Sequence, residues 1–338
     1  MKAIVIKGPN RVELTEVPTP EKALPNHLIV RMQRCAINSG DKTNLSGKMP
    51  ASAFSKGGTG TLVRRRKYNM CGASGVGTVI ETGEGAPEEY KGKNVTVYVG
   101  LKQDEETIGT WCEYAHLHYM QCAILPDNVN TDDYSGSLVN IITPYAFLKQ
   151  AQQESHRGII STAGNSATGI ALLGICRRDN VPVISLVRNA ENKKELEDLG
   201  AQHVLIENAP NFKADLQKMA FELSCTAVFD GVGGALISNI LDVLPFGSTI
   251  YCYGFLDKQN PVTFYSASLM NGLTIKGFSN VLTPTVENAG KLQEALRDIS
   301  TIIGQPFFKT KTGKVFSFDE IDEALHYSSR DGKAALAP

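Results

Sequence analysis

Between residues 158 and 277 six short apolar runs recur, each followed by a longer stretch of helical character. The runs lie at 158–162, 183–187, 203–206, 227–230, 249–253 and 273–277, with helix-like segments at 170–178, 193–199, 212–223 and 237–244 between them. A strand that is apolar along its whole length is covered on both faces. Parallel neighbours need a crossover connection, which the helical segments supply. The alternation therefore predicts an α/β domain built on a doubly wound, parallel six-stranded sheet.

The first 125 residues follow a different rhythm. Short β-like runs at 3–6, 28–32, 77–81, 94–99 and 111–117 are bounded by Gly, Pro, Asn or Asp, the spacing of a compact, barrel-like β domain. Gly57-Gly58-Thr59-Gly60 reads as a loop, and 102–107 as a solvated acidic loop. A helix is expected from about Thr131, with Asp132 and Asp133 in its first turn and Leu138, Ile141, Ile142, Tyr145 and Leu148 behind them. After about Leu296 the alternation stops. A strand-like run (314–318), an acidic amphipathic helix (319–327) and a last apolar run (334–336) are expected to return to the N-terminal domain. This divides the chain into a β-rich domain (1–125 with 296–338) and a nucleotide-type domain (126–295).

Composition excludes several classes. The 338 residues are 42% hydrophobic and 20% charged, enough for two ordinary cores. A net charge of -1 gives no reason to expect a nucleic acid or an anionic membrane as partner. Seven scattered cysteines without a C-x-x-C pair read as reduced thiols. The N-terminal apolar run is too short for a signal peptide. Runs such as 170–176 fall far short of the roughly 20 residues that span a bilayer. A soluble, cytoplasmic protein is expected.

The run 158–162 leads into Ala163-Gly164-Asn165-Ser166-Ala167-Thr168-Gly169 and then Ile170-Ala171-Leu172-Leu173, which is strand, small-residue turn and helix. Small residues let a backbone approach a pyrophosphate, and a helix start supplies free N–H groups and the positive end of a dipole. Ala163 stands where the G-x-G-x-x-G pattern has a glycine, so the turn alone also suits a purely structural role. Its place after the first strand of six points to a dinucleotide site of Rossmann type. The second strand ends in Arg188-Asn189 with no acid at its tip, where an NAD site carries Asp or Glu for the ribose. A guanidinium there suits a 2′-phosphate, with Lys193 and Lys194 nearby, so NADPH is the expected cofactor; a plain surface arginine is the alternative. Asp230, Val232, Tyr253 and Gly254 lie at the carboxyl ends of the fourth and fifth strands, the end at which open α/β sheets bind ligands.

These pieces resemble, in order and over nearly the whole chain, the medium-chain dehydrogenase/reductase superfamily. They are Ala36-Ile37-Asn38-Ser39-Gly40-Asp41 with Gly47, residues 72–79, Gly109-Thr110-Trp111-Cys112-Glu113-Tyr114, Leu125-Pro126-Asp127 and Val139-Asn140-Ile141-Ile142-Thr143. The 164–169 turn, Leu199-Gly200-Ala201, residues 230–234, Tyr253-Gly254, Gly277-Phe278 and Gly332-Lys333 continue the series. Within the superfamily the chain is similar to zinc-free quinone oxidoreductases and 2-enoyl thioester reductases, the latter through Asn165-Ser166, Val187-Arg188 and Val139-Asn140. The resemblance implies a GroES-like catalytic domain beside the Rossmann domain, and a homodimer formed through the Rossmann sheet edge. It implies that Asn38 and Thr143 lie near a nicotinamide, that Tyr253, Phe255 and Phe278 wall the pocket, and that Lys333 belongs to the cofactor's surroundings. Zinc-dependent relatives need a cysteine where this chain has Asn38 and a His-Glu pair where it has Ala73-Ser74, so no metal is expected.

Without a Lewis acid a simple ketone is a hard target. A quinone or α,β-unsaturated carbonyl is easier, because the negative charge that follows hydride addition spreads to an oxygen that a donor can serve. Hydride transfer from NADPH to such a substrate is the expected reaction. Reduction of a 2-enoyl thioester, or a non-catalytic NADPH-binding sensor, are the alternatives. Related enoyl reductases carry a tyrosine where this chain has Lys48-Met49, and many quinone reductases one at Thr43, so no proton donor stands out; Tyr68 is a candidate. Arg64-Arg65-Arg66-Lys67 suits either a solvated loop or a coenzyme A phosphate. His116 and His118 share a strand face and read as structural.

Overall fold

In the computed structural model, which describes residues 1–46, 71–102, 106–329 and 332–338, the chain opens on an antiparallel hairpin of β1 (Lys2–Gly8) and β2 (Arg11–Glu16). The turn is closed by Asn10 at φ 51, a left-handed position that asparagine tolerates well. β3 (His27–Ala36) is the long central strand of a second sheet, and α1 (Ser39–Leu45) follows it. β4 (Ser74–Thr82) pairs antiparallel with β3, then β5 (Asn94–Tyr98) with β4. β6 (Tyr114–His118) also pairs with β3, and β7 (Cys122–Ile124) with β5. The run at 111–117 becomes strand only from Tyr114. Trp111 is fully buried instead, its indole N–H pointing to the Ala36 carbonyl at 3.4 Å, while Cys112 bridges Ala3. A large apolar side chain read as strand is thus a core anchor in a turn.

α2 (Ser137–Gln153) crosses the division between two compact units, residues 1–142 with 284–338 and residues 143–283. In the second unit the alternation is realised element by element: β8 (Gly158–Ser161), α3 (Ala167–Arg178), β9 (Val183–Val187), α4 (Ala190–Asp198), β10 (Val204–Ile206) and α5 (Phe212–Glu222). β11 (Cys225–Asp230), α6 (Gly234–Ile240), β12 (Thr249–Cys252), α7 (Ser266–Leu269) and β13 (Thr274–Gly277) complete it. The six strands are parallel in the order β10-β9-β8-β11-β12-β13, the doubly wound Rossmann order, which reverses between β8 and β11. β8 and β9 are buried along their whole lengths. On one face Ile160, Ile184, Leu186, Val228 and Ile250 pack against Phe212 and Leu216 of α5 and Leu236, Ile237 and Ile240 of α6. Each such side chain contributes about 1.5–3 kcal/mol by leaving water.

The tail does return. α8 (Pro284–Glu287) and α9 (Ala289–Ile302) precede β14 (Thr312–Ser317), α10 (Ile321–His326) and β15 (Lys333–Ala337). β15 runs parallel to β14 and antiparallel to β3, which extends the sheet of the first unit to seven strands, a GroES-like arrangement. All seven cysteines are free thiols, six of them buried and Cys252 half-buried. Among the described residues no helix is long and apolar enough to cross a membrane. Gly47, Lys48-Met49, the 57–60 loop, the basic run 64–67, Tyr68 and residues 103–105 lie outside the described residues.

Candidate active site

The turn after β8 is shaped by contact distance. Ala163 takes φ 49, the left-handed position that the glycine pattern anticipates. The Gly164 N–H bonds the Leu186 carbonyl at 2.9 Å, and a Cβ at Gly164 would lie 2.8 Å from the Ser185 Cβ. A Cβ at Gly169 would come within 2.5 Å of the Gly164 carbonyl oxygen. The turn is therefore clamped between β9 and the first turn of α3. Ser166 caps that helix, its hydroxyl accepting from the Gly169 N–H at 3.1 Å. Asn165, Ser166, Ala167 and Thr168 are all partly buried around the helix start. Small residues at close backbone approach, facing a helix N-terminus, fit a dinucleotide pyrophosphate.

Asp230 joins the two strands at the point where the order reverses. It is fully buried at the end of β11, and its Oδ1 accepts from the Thr162 hydroxyl at 2.7 Å and from the Val232 and Gly233 N–H groups at 3.0 Å each. Burial raises its pKa, against the pull of those donors. Tyr253 stacks on Phe229 with ring centroids 3.9 Å apart. Burial pushes the Tyr253 phenol up, so it stays protonated, and it hydrogen-bonds the Ser166 hydroxyl. The Gly254 N–H bonds the Asp230 carbonyl at 3.3 Å, and a Cβ at Gly254 would meet the Gly231 carbonyl oxygen at 2.7 Å. Phe255 is 45% exposed. Phe278 is buried with Phe147, Phe229 and Tyr251 in an aromatic cluster. Thr143 accepts from the Asn280 amide at 2.8 Å.

Arg188 is exposed at the end of β9, just before Asn189 caps α4 by accepting from the Asn192 N–H at 2.9 Å. Sequence reasoning missed its neighbour. Glu207 follows β10, its N–H bonded to the Val187 carbonyl at 2.9 Å, and burial raises its carboxyl while the Arg188 charge lowers it. β9 and β10 are adjacent, so an acid one residue past the end of β10 faces the tip of β9. Reading only along β9 could not reveal it.

The first unit holds a separate polar cluster. Asn38 caps α1, and its side-chain N–H groups reach the Ser74 hydroxyl at 2.7 Å and the Asp41 carboxylate at 3.2 Å. Asp41 also accepts from the Asn38 and Ala73 backbone N–H groups, at 2.8 and 3.0 Å. The Lys333 ammonium donates to Asn38 Oδ1 at 2.8 Å and lies 3.5 Å from Asn140 Oδ1. This brings Asn38 and Lys333 together across 295 residues and adds Asp41, Ser74 and Asn140, which the sequence offered only as parts of matching segments. Among the described residues no group of three or more His, Cys, Asp or Glu side chains is arranged to hold a metal ion.

Residues 167–295 match a family model described as zinc-binding dehydrogenase. The chain is 26% identical to the mitochondrial enoyl-[acyl-carrier-protein] reductase of Caenorhabditis elegans over 80% of its own length and 73% of that protein. It is 30% identical to the enzyme of the same name from Xenopus tropicalis, over 61% of this chain and 59% of the relative. In fold it is similar to Escherichia coli quinone oxidoreductase complexed with NADPH, with a TM-score of 0.73, 18% identity, and 100% of this chain and 99% of that one covered. The matched domain, these relatives and the Rossmann and GroES-like sheets support a likeness to the medium-chain dehydrogenase/reductase superfamily of oxidoreductases, with quinone oxidoreductase-like and enoyl reductase-like proteins among those it is similar to.

Proposed function

We propose that this protein is an NADPH-dependent reductase acting on quinones or α,β-unsaturated carbonyl compounds. The observation that carries the reading is the 163–169 turn, clamped against β9 at the switch point of the sheet, with Arg188 exposed at the tip of that strand. Gly164, Asn165, Ser166, Ala167 and Thr168 would hold the pyrophosphate, and Arg188 the 2′-phosphate. Asp230, Val232, Tyr253, Gly254 and Phe255 would line the nicotinamide half at the strand ends. When bound, NADPH supplies the hydride. The chain's part is to orient substrate and cofactor, with Thr143 near the ring, and to serve the charge that develops on the substrate oxygen. Because the curated relatives carry the name enoyl-[acyl-carrier-protein] reductase, a 2-enoyl thioester is the second reading of the substrate.

Steady-state NADPH oxidation against a panel of quinones, short enones and enoyl thioesters tests this. Turnover of quinones or enones supports the first reading, and turnover confined to thioesters the second. NADPH binding with no turnover of any of them supports a non-catalytic NADPH-binding protein instead.

We further propose a homodimer formed on the β13 edge. β13 is the last strand of its sheet and carries Ile275 exposed, with Phe264, Tyr265, Leu269 and Met270 exposed just before it. An apolar patch beside an open strand edge is what a second copy can cover by extending the sheet.

A further inference from the structure

Two side chains of opposite charge lie at one end of the six-stranded sheet. β9 and β10 run parallel, with Leu205 opposite Leu186 and Ile206 opposite Val187. The Glu207 N–H bonds the Val187 carbonyl at 2.9 Å, so the ladder reaches one residue past β10. Carried that far, the register sets Glu207 opposite Arg188, and opposite residues of neighbouring strands face the same side of a sheet. Arg188 is exposed and Glu207 half-buried.

The other charges nearby are already matched. α4 and α5 pack on β10. On α4, Lys193 pairs with Glu197 at 3.7 Å and Lys194 with Asp198 at 2.8 Å. On α5, Lys213 pairs with Asp242 at 2.7 Å. Arg188 enters no ion pair among the described residues, yet it is the one charge among them that acts on Glu207. Burial lifts the Glu207 carboxyl above its ordinary value, against the pull of that guanidinium.

We propose that Glu207 sets how strongly the 2′-phosphate of the cofactor is preferred: its carboxylate competes with that phosphate for Arg188, and NADPH binding places a proton on it. The proposal rests on the reading of Arg188 as the 2′-phosphate site and deepens it. A phosphate monoester brings about −1.5 to −2 charges to the guanidinium at neutral pH. A carboxylate beside the same guanidinium is repelled by them, and like charge favours its neutral form. Glu207 takes one proton from solvent, Arg188 stays charged, and no bond of the cofactor changes. NADH has a hydroxyl at that position and draws no proton. Glu207 is a positioning residue here, since it acts through Arg188.

The pH dependence has a definite sign. At low pH the Glu207 carboxyl is neutral before the cofactor arrives and does not oppose it. As pH rises through its titration, NADPH must displace a charge, so its affinity falls relative to a protein with an amide at 207.

Calorimetric titration with NADPH and with NADH, in pairs of buffers that differ in ionisation enthalpy, counts the protons taken up between pH 5 and 8. The intact protein should take up more protons with NADPH than Glu207→Gln does, while with NADH the two should agree. The 2′-phosphate titrates in this range as well, but in both proteins, so the difference belongs to residue 207. At pH 8 Glu207→Gln should bind NADPH about two- to fivefold tighter, the size of effect a partly exposed charge pair supplies, with the NADH constant unchanged. The two NADPH constants should draw together toward pH 5. Equal proton counts in the two proteins, or a change that affects NADPH and NADH alike, would overturn the inference and leave the Arg188 reading standing. An Arg188→Ala variant that keeps the NADPH preference would overturn the 2′-phosphate site itself, and the role of Glu207 with it.

Discussion

Single residues in the 163–169 turn show how closely it is packed. Gly164→Ala would drive a Cβ to 2.8 Å from the Ser185 Cβ and 3.2 Å from the Leu186 carbonyl. Overpacking of that kind costs about 1–3 kcal/mol, and the urea midpoint should fall accordingly. Ala163→Gly acts in the opposite sense. A left-handed alanine costs about 1–2 kcal/mol, whereas glycine costs about 0.5–1 kcal/mol in lost chain entropy. The difference favours glycine by about 0–1.5 kcal/mol, a small rise in the same midpoint. The glycine missing from the sequence pattern at 163 therefore marks a local strain, and the conformation it would have taken is still there.

At the scale of elements, the end of α2 is fastened to the sheet by charge. Glu154 accepts from Lys276 of β13 at 2.6 Å and from the Tyr251 phenol of β12 at 2.7 Å. Burial raises the Glu154 carboxyl, but the hydrogen bonds from Lys276, Gln150 and Tyr251 outweigh it and bring the pKa to about 2. His156, just beyond, meets the Thr226 hydroxyl at 2.8 Å and is shifted down by burial, against the Glu154 charge. Both depressions have one sign: the unfolded chain binds more protons, so stability rises with pH. The His156 share is complete above pH 6.5 and declines as pH falls below it. The Glu154 share is complete above 4.5 and declines toward about 2. Thermal melting from pH 8 to 3 should show this two-stage loss, and Glu154→Gln should remove the lower stage. None of this network was legible beforehand, because Glu154, Tyr251 and Lys276 meet only when β12 and β13 are laid side by side. The strands themselves were legible, since a buried parallel strand such as Val183–Val187 is apolar at every position. The helix α9 was missed, although Leu292, Leu296 and Ile299 repeat at helical spacing and are buried; the expected alternation had ended there.

The whole molecule is legible in sequence where one segment carries the signal, and hidden where two must meet. The doubly wound order follows from the alternation, and the return of the tail from its break. The Asn38–Lys333 pair does not follow, because its partners are 295 residues apart and only the β3–β15 register joins them. The same holds for Glu207 beside Arg188. Assembly is the other property at this scale. Ile275→Lys on the open edge should convert a dimer to a monomer in light scattering behind size exclusion, with little loss of melting temperature, since Ile275 is exposed in the single chain. A monomer before any substitution would remove the proposed interface. Cofactor use depends on the nucleotide turn, and the most direct measurement is a titration of the protein and its Arg188→Ala variant with NADPH and NADH, followed by nicotinamide fluorescence. The prediction is that NADPH binds at micromolar concentration, about tenfold or more tighter than NADH (~1.4 kcal/mol), and that the variant loses the difference. If neither nucleotide binds at micromolar concentration, the turn at 163–169 only connects a strand to a helix and the reductase reading is contradicted.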